Sequence, residues 1–140
     1  FTEGINYSQE EFFLDAINEF NTLIQLYPDS ELVDDALYNV GLCFFEMNQF
    51  ERAIQTFFVV IQEYPSSTIS ILDGGNEFGK TAAKCHYSIM NCYIALGDTK
   101  NAEKHIQELS SFNETYKMVN NQKRTFHTIA KEAYSTYRNI

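Results

Sequence analysis

Tryptophan is absent from this chain of 140 residues, proline occurs only at Pro28 and Pro65, and before Lys80 the sole lysine or arginine is Arg52. With so few prolines, long stretches are free of the residue that most reliably ends a helix. The scarcity of positive charge excludes a nucleic-acid binder, since holding a phosphate backbone needs a basic surface and the net charge here is −9. No apolar run exceeds Phe57–Ile61, far short of a membrane span. Cys43, Cys85 and Cys92 form an odd set, each inside an apolar helical pattern. They read as small buried hydrophobes rather than a disulfide framework or a metal site, and tilt toward a reducing compartment. There is no initiating methionine. The opening on Phe1 is expected of a processed or excised chain, so a targeting segment would lie outside it.

What is present is an ordinary soluble composition, 44% hydrophobic and 21% charged, in a length that suits one domain. The charge is bipolar. Residues 1–79 carry one basic residue against fourteen acids, and residues 80–140 carry nine against five. Solvated helix faces account for such a pattern, and so does an acidic half that meets a basic partner or the basic end of a second copy.

A repeat emerges by subtraction. Gly4 and Gly41, Tyr7 and Phe44, Ala16 and Ala53, Phe20 and Phe57, and Pro28 and Pro65 are each 37 residues apart. Each type has a physical role. Gly41 lets a first helix pack closely on its partner, and Ala53 does the same from the second helix. Phe44 and Phe57 fill the space beside them. Pro65 ends the unit, and the serine after it, Ser66 or Ser67, caps the next helix. Asn48-Gln49-Phe50 reads as a short polar turn between two antiparallel helices. A third, degraded unit follows at an offset of 49, with Tyr93 for Phe44 and Ala102 for Ala53. Met90 replaces the packing glycine, Ile106 the second aromatic and Glu114 the proline, while Gly97-Asp98 supplies a helix stop and the next cap.

Glycine, aromatic, alanine, aromatic, proline at these offsets resembles the tetratricopeptide repeat. The period of 37 exceeds that family's usual length of about 34. The lengthened first helix and the Tyr-Pro-x-Ser style are similar to bacterial cell-envelope repeat proteins, such as the Tol–Pal coordinator and the BamD-like assembly lipoproteins. The resemblance implies an all-α solenoid of about three helical hairpins plus a long C-terminal capping helix, in a single domain over 1–140. Its parts are a partial repeat at 1–28, a second at 29–65, an insertion at 67–78, a third repeat at 79–112 and the cap at 114–138. Helices are expected near 1–8, 10–26, 30–46, 50–63, 78–96, 99–111 and 114–138. The final helix rests on Tyr116, Val119, Phe126, Ile129 or Ala130, Ala133 and Tyr137 recurring at three- and four-residue steps.

The resemblance also implies function. First helices of successive units line a concave wall in this family, which places Asp35, Tyr38, Asn39, Leu42, Phe45 and Glu46 from the second unit beside Lys84, Tyr87, Ser88, Asn91 and Ile94 from the third. Asn91 stands at a position where some members clamp a terminal carboxylate, but Tyr38 and Tyr87 occupy the places of the clamp lysines, so that ligand is not expected. An aromatic and apolar wall with acidic rims suits a protein or peptide segment carrying basic residues. The expected activity is that of a protein-binding scaffold or adaptor with no enzymatic role, no cofactor and no metal. Self-association through the open N-terminal end is the structural alternative. The envelope style points to the bacterial periplasm and the cysteines to a cytoplasm.

A second alternative rests on Gly74-Gly75-Asn76-Glu77-Phe78-Gly79-Lys80-Thr81, which fits the phosphate-binding loop G-x-x-x-x-G-K-[ST]. Backbone N–H groups would cradle phosphates, with Lys80 on the outer phosphates and Thr81 on magnesium. The expression needs a parallel sheet around it, and no second buried apolar strand is visible in the chain. The preferred reading of residues 67–78 is a Gly-rich loop inserted in the repeat array, and such loops can serve partner contact. His86, His105 and His127 fall on different expected helices and give no metal spacing.

Overall fold

The computed structural model describes residues 7–70 and 75–139. Among them are six helices: α1 (Tyr7–Leu26), α2 (Val33–Glu46), α3 (Phe50–Glu63), α4 (Thr81–Ala95), α5 (Thr99–Leu109) and α6 (Phe126–Arg138). Each helix from α1 to α5 packs on the next, and α6 closes against α4 and α5. This is the helical-repeat architecture that the offsets imply. Gly4 and the first expected helix lie outside the described residues, apart from Tyr7 and Ser8. Those two begin α1 itself, because no proline or glycine interrupts the chain from Tyr7 to Leu26.

Helix α3 shows how sequence becomes packing. Ala53, Ile54, Phe57 and Val60 are buried at three- and four-residue steps, while Glu51, Gln55 and Val59 are exposed. The buried stripe meets Cys85, Ile89 and Cys92 of α4 in one core cluster. A second cluster joins Ala83 and Met90 of α4 to Ala102 and Leu109 of α5 and to Phe126 and Ala130 of α6. A third sets Ile17 of α1 against Val40 and Cys43 of α2 and Met47 after it. All three cysteines are buried free thiols, and burial pushes the Cys92 thiol up to about 12.

Gly41 stands where expected. A Cβ there would lie 2.7 Å from Cζ and 2.8 Å from Cδ1 of Phe57, a residue with no exposed surface. In the third unit Met90 takes the glycine's place, with Ile106 packed against its cluster where the second unit has Phe57. A larger residue on one helix is met by a smaller one on the other, which offsets part of the added volume.

The two elbows are built alike. Asn48 (φ 61°) and Gly97 (φ 77°) are both left-handed and 49 residues apart. Asn48 N–H donates to Phe45 O and Gln49 N–H to Phe44 O; Gly97 N–H donates to Ile94 O and Asp98 N–H to Tyr93 O. Both are Schellman stops, which satisfy the last carbonyls of the helix. Asp98 then caps α5, its carboxylate accepting from Asn101 N–H at 3.1 Å.

The expected helix over 114–138 is not continuous. Tyr116–Val119 forms β2 and Gln122–Thr125 forms β3, an antiparallel hairpin, and α6 begins only at Phe126. The turn residues Asn120 (φ 53°) and Asn121 (φ 65°) both adopt the left-handed conformation of a two-residue type I′ turn, which asparagine tolerates well. Thr125 then caps α6, accepting from Thr128 N–H. The insertion is not a plain loop either. Glu77–Phe78 forms β1 and pairs antiparallel with β2, Glu77 opposite Lys117 and Phe78 opposite Tyr116. To the helical array the structure therefore adds a three-stranded sheet of order β1-β2-β3, with Phe78 stacked on Tyr116 at 5.4 Å between ring centroids. Helix α4 accordingly starts at Thr81 rather than 78. Helix α2 starts at Val33 rather than 30, after a turn in which Leu32 N–H donates to Ser30 Oγ.

Candidate functional site

Helices α2 and α4, expected as the first helices of the second and third units, pack on one another. Their contact is fastened at depth. The Thr81 hydroxyl donates to Asp34 Oδ2 at 2.6 Å, and both residues are buried. Nearer the surface Tyr38 Oη and Ser88 Oγ share a hydrogen bond of 3.0 Å, the Tyr38 ring lies 5.4 Å from that of Phe57, and Lys84 Nζ sits 4.3 Å over its face. Burial raises the Tyr38 phenol above its ordinary value, so it stays protonated. Tyr38 thus joins the two helices.

The other expected groove residues separate into two sets. Asp35, Asn39 and Lys84 line one cavity of about 430 Å³, together with Phe20 and Leu23 of α1, Ser70 of the insertion and Glu77 of β1. Asn39 Nδ2 donates to Asp35 O at 2.9 Å, and Lys84 pairs with Glu77 at 2.9 Å. The remaining residues turn elsewhere. Tyr87 packs on Phe126 of α6 at 5.8 Å, Phe45 meets Phe50 edge-on at the elbow, and Leu42 packs into the α3–α4 core. Glu46 is exposed at the end of α2, and Asn91 is half-buried on α4. Capping by α6 explains Tyr87: the residue that would extend the strip is covered by the element that closes the array.

Sequence reasoning missed Ser70 and Glu77, because the fold-back of the insertion onto the wall is a long-range event. Ser70 N–H donates to Asp35 Oδ1 at 3.5 Å, and Asp35 Oδ2 is buried without a hydrogen-bond donor among the described residues. Burial first, and then the neighbouring Asp34, push the Asp35 carboxyl up to about 6.

The phosphate-loop expression dissolves in the same geometry. Gly74 lies outside the described residues. From Glu77 the chain runs as an antiparallel strand rather than a cradle. Lys80 N–H donates to Thr115 Oγ1, Thr81 N–H donates to Ser67 O, and the Thr81 hydroxyl is spent on Asp34. Two of the backbone N–H groups that would meet phosphates, and the hydroxyl that would meet magnesium, are already bonded within the protein.

The sequence places His86 and His105 only on separate helices, yet the packing of α4 on α5 sets their Nδ1 atoms 2.9 Å apart in a buried contact. One ring must donate and the other accept, so at least the accepting ring is neutral. Burial, then His86 and Lys104, lower His105 to about 4; burial also lowers His86, against the pull of Glu108. Phe58, Tyr93 and Phe112 surround the pair. A histidine whose folded value is depressed contributes stability above its unfolded value that is lost as pH falls below it. The expected result is a melting temperature that declines as pH falls below about 6.5, the ordinary histidine value. Asp35 acts in the opposite sense below pH 6, since its carboxyl is raised. Replacing both histidines with leucine should remove the decline; a double variant with an unchanged acid limb would show that the pair is not its source.

A family model described as tetratricopeptide repeat matches residues 35–67, one helical pair formed by α2 and α3. No curated protein matches the chain. The matched segment starts at Asp35 and ends at Ser67, where the insertion begins, and it supports a tetratricopeptide repeat protein, a fold that generally mediates protein–protein interaction.

Proposed function

We propose that this protein is a non-enzymatic adaptor that holds a segment of a partner polypeptide against the wall formed by α2 and α4. The observation that carries this reading is the cavity of about 430 Å³ on that wall, lined by Asp35, Asn39 and Lys84 from consecutive first helices. Such a wall, apolar in part and fixed by the Asp34–Thr81 and Tyr38–Ser88 bonds, is rigid before the partner arrives, which lowers the ordering cost of binding. The lengthened repeat and the Tyr-Pro-x-Ser segments favour a bacterial envelope assembly complex as its setting.

The experiment is affinity capture from the native source, followed by titration of the captured partner against two variants. Asn39→Arg places a long side chain in the cavity and should weaken binding by at least about tenfold, mostly through faster dissociation. Gln55→Arg, on the exposed side of α3, should bind as the parent does. Both should keep the parent helicity by circular dichroism. The groove reading fails if Gln55→Arg impairs binding and Asn39→Arg does not.

A further inference from the structure

The charges around the cavity do not balance. Glu77 and Lys84 neutralise one another across 2.9 Å, and Asp34 is engaged by Thr81. Asp35 remains, with one oxygen at 3.5 Å from Ser70 N–H and the other buried and unpartnered among the described residues. A desolvated carboxylate without a full set of donors is unfavourable. Here its own element adds a like charge, Asp34, and the nearest cation is already shared with Glu77. From α1 the facing residues are apolar, Phe20 and Leu23. Natural structures satisfy buried polar groups, and a carboxylate on a cavity wall with one enclosed oxygen lacking a donor marks a place where something else supplies it.

Resting on the adaptor reading, we propose that this cavity receives one basic side chain of the partner, an arginine in preference to lysine, with Asp35 as its counter-ion. The alkyl stem lies along Phe20 and Leu23. The guanidinium donates to Asp35, whose carboxylate turns about a single bond to offer either oxygen. Arginine is preferred because its guanidinium is less strongly hydrated than an ammonium and presents paired donors to a carboxylate. The acidic balance of residues 1–79 draws such a segment in, and because Lys84 is neutralised by Glu77 the uncompensated Asp35 leaves the cavity negative, which rejects an acidic residue.

The test uses the whole chain, isotope-labelled, and three short blocked peptides: acetyl-Gly-Arg-Gly-amide, the same peptide with neutral citrulline, and the same with glutamate. Backbone resonances are followed during titration at pH 7.5. The arginine peptide should shift residues 35, 39, 70 and 84 saturably. The citrulline and glutamate peptides should bind at least about tenfold more weakly, the effect of losing one charge-assisted pair. Asp35→Asn should lower affinity for the arginine peptide by a similar factor while its melting temperature stays at or above that of the parent, because an uncompensated carboxylate has been removed. A carboxylate held only for the fold would instead lose stability on neutralisation. Equal binding of the citrulline peptide to the parent chain overturns the proposal without reference to any variant. So does the lack of saturable shifts at those four residues with roughly ten-millimolar peptide, a concentration at which even a very weak site fills. A triglycine amide with a free amino terminus that binds as tightly as the arginine peptide overturns the side-chain assignment. In each of these cases the adaptor reading still stands or falls on the Asn39→Arg titration.

Discussion

Gly41→Leu is expected to lower the unfolding free energy by more than about 2 kcal/mol, in the upper part of the range for overpacked cores. The leucine Cβ alone would enter the ring of Phe57, and that ring has nowhere to move, since it is enclosed by α2, α3 and α4 and has no exposed surface. Urea denaturation of the parent and the variant measures the loss. A change within about 0.5 kcal/mol, the scale of an ordinary surface substitution, would mean that the helices do not cross at Gly41. The third unit indicates the compensating change. Met90 and Ile106 occupy the positions equivalent to Gly41 and Phe57, so adding Phe57→Ile to Gly41→Leu should recover part of the loss. Recovery would appear as a non-additive double-mutant cycle, as expected for residues in direct contact.

Gly79→Ala should cost about 2–3 kcal/mol, through backbone strain with a clash added to it. Gly79 has φ of +115°, a conformation that a residue with a side chain adopts only under strain. Its new Cβ would meet Thr115 Cα at 2.6 Å and Glu114 O at 2.8 Å, which are backbone atoms that no side-chain rotation can clear. The loss should be local. β1 holds β2, the Lys80 N–H holds Thr115 Oγ1, and the sheet ties the insertion to the hairpin ahead of α6. Hydrogen exchange should therefore accelerate in residues 75–80 and 115–125 well before the α2–α3 pair responds. Uniform acceleration across all helices would show that the sheet is part of the global folding unit. Unchanged exchange would mean that Gly79 is not held in this conformation.

The packing scaffold was legible in the chain because its causes are local or strictly periodic. Gly41, Ala53 and Phe57 recur as types whose size alone dictates close crossing and filling. The Asn48 and Gly97 stops sit at equivalent places because a left-handed residue must follow each first helix. The capping hairpin was legible in principle: Asn120-Asn121 between two short polar–apolar segments is a turn signal. A run of apolar residues at helical spacing on either side of it outweighed that signal, as short strands and helix turns share much of their composition. The phosphate-loop expression misled for a related reason. Its glycines and lysine have the right spacing, but Gly79 serves a strand crossing and Thr81 a buried bond to Asp34.

By itself, then, the sequence determined a helical repeat array, its period, its close crossing points and its charge asymmetry, since periodicity, residue size and charge are properties of the chain before it folds. Tertiary structure alone decided which wall residues face an open cavity. The meeting of Ser70 and Glu77 with Asp35 and Lys84 spans 35 residues in one case, and the pairing of β1 with β2 spans about 40. It likewise decided that Tyr87 is covered by Phe126 and that His86 meets His105. These contacts depend on loop closure and on the angle at which one helix lies on the next, and a linear spacing carries neither.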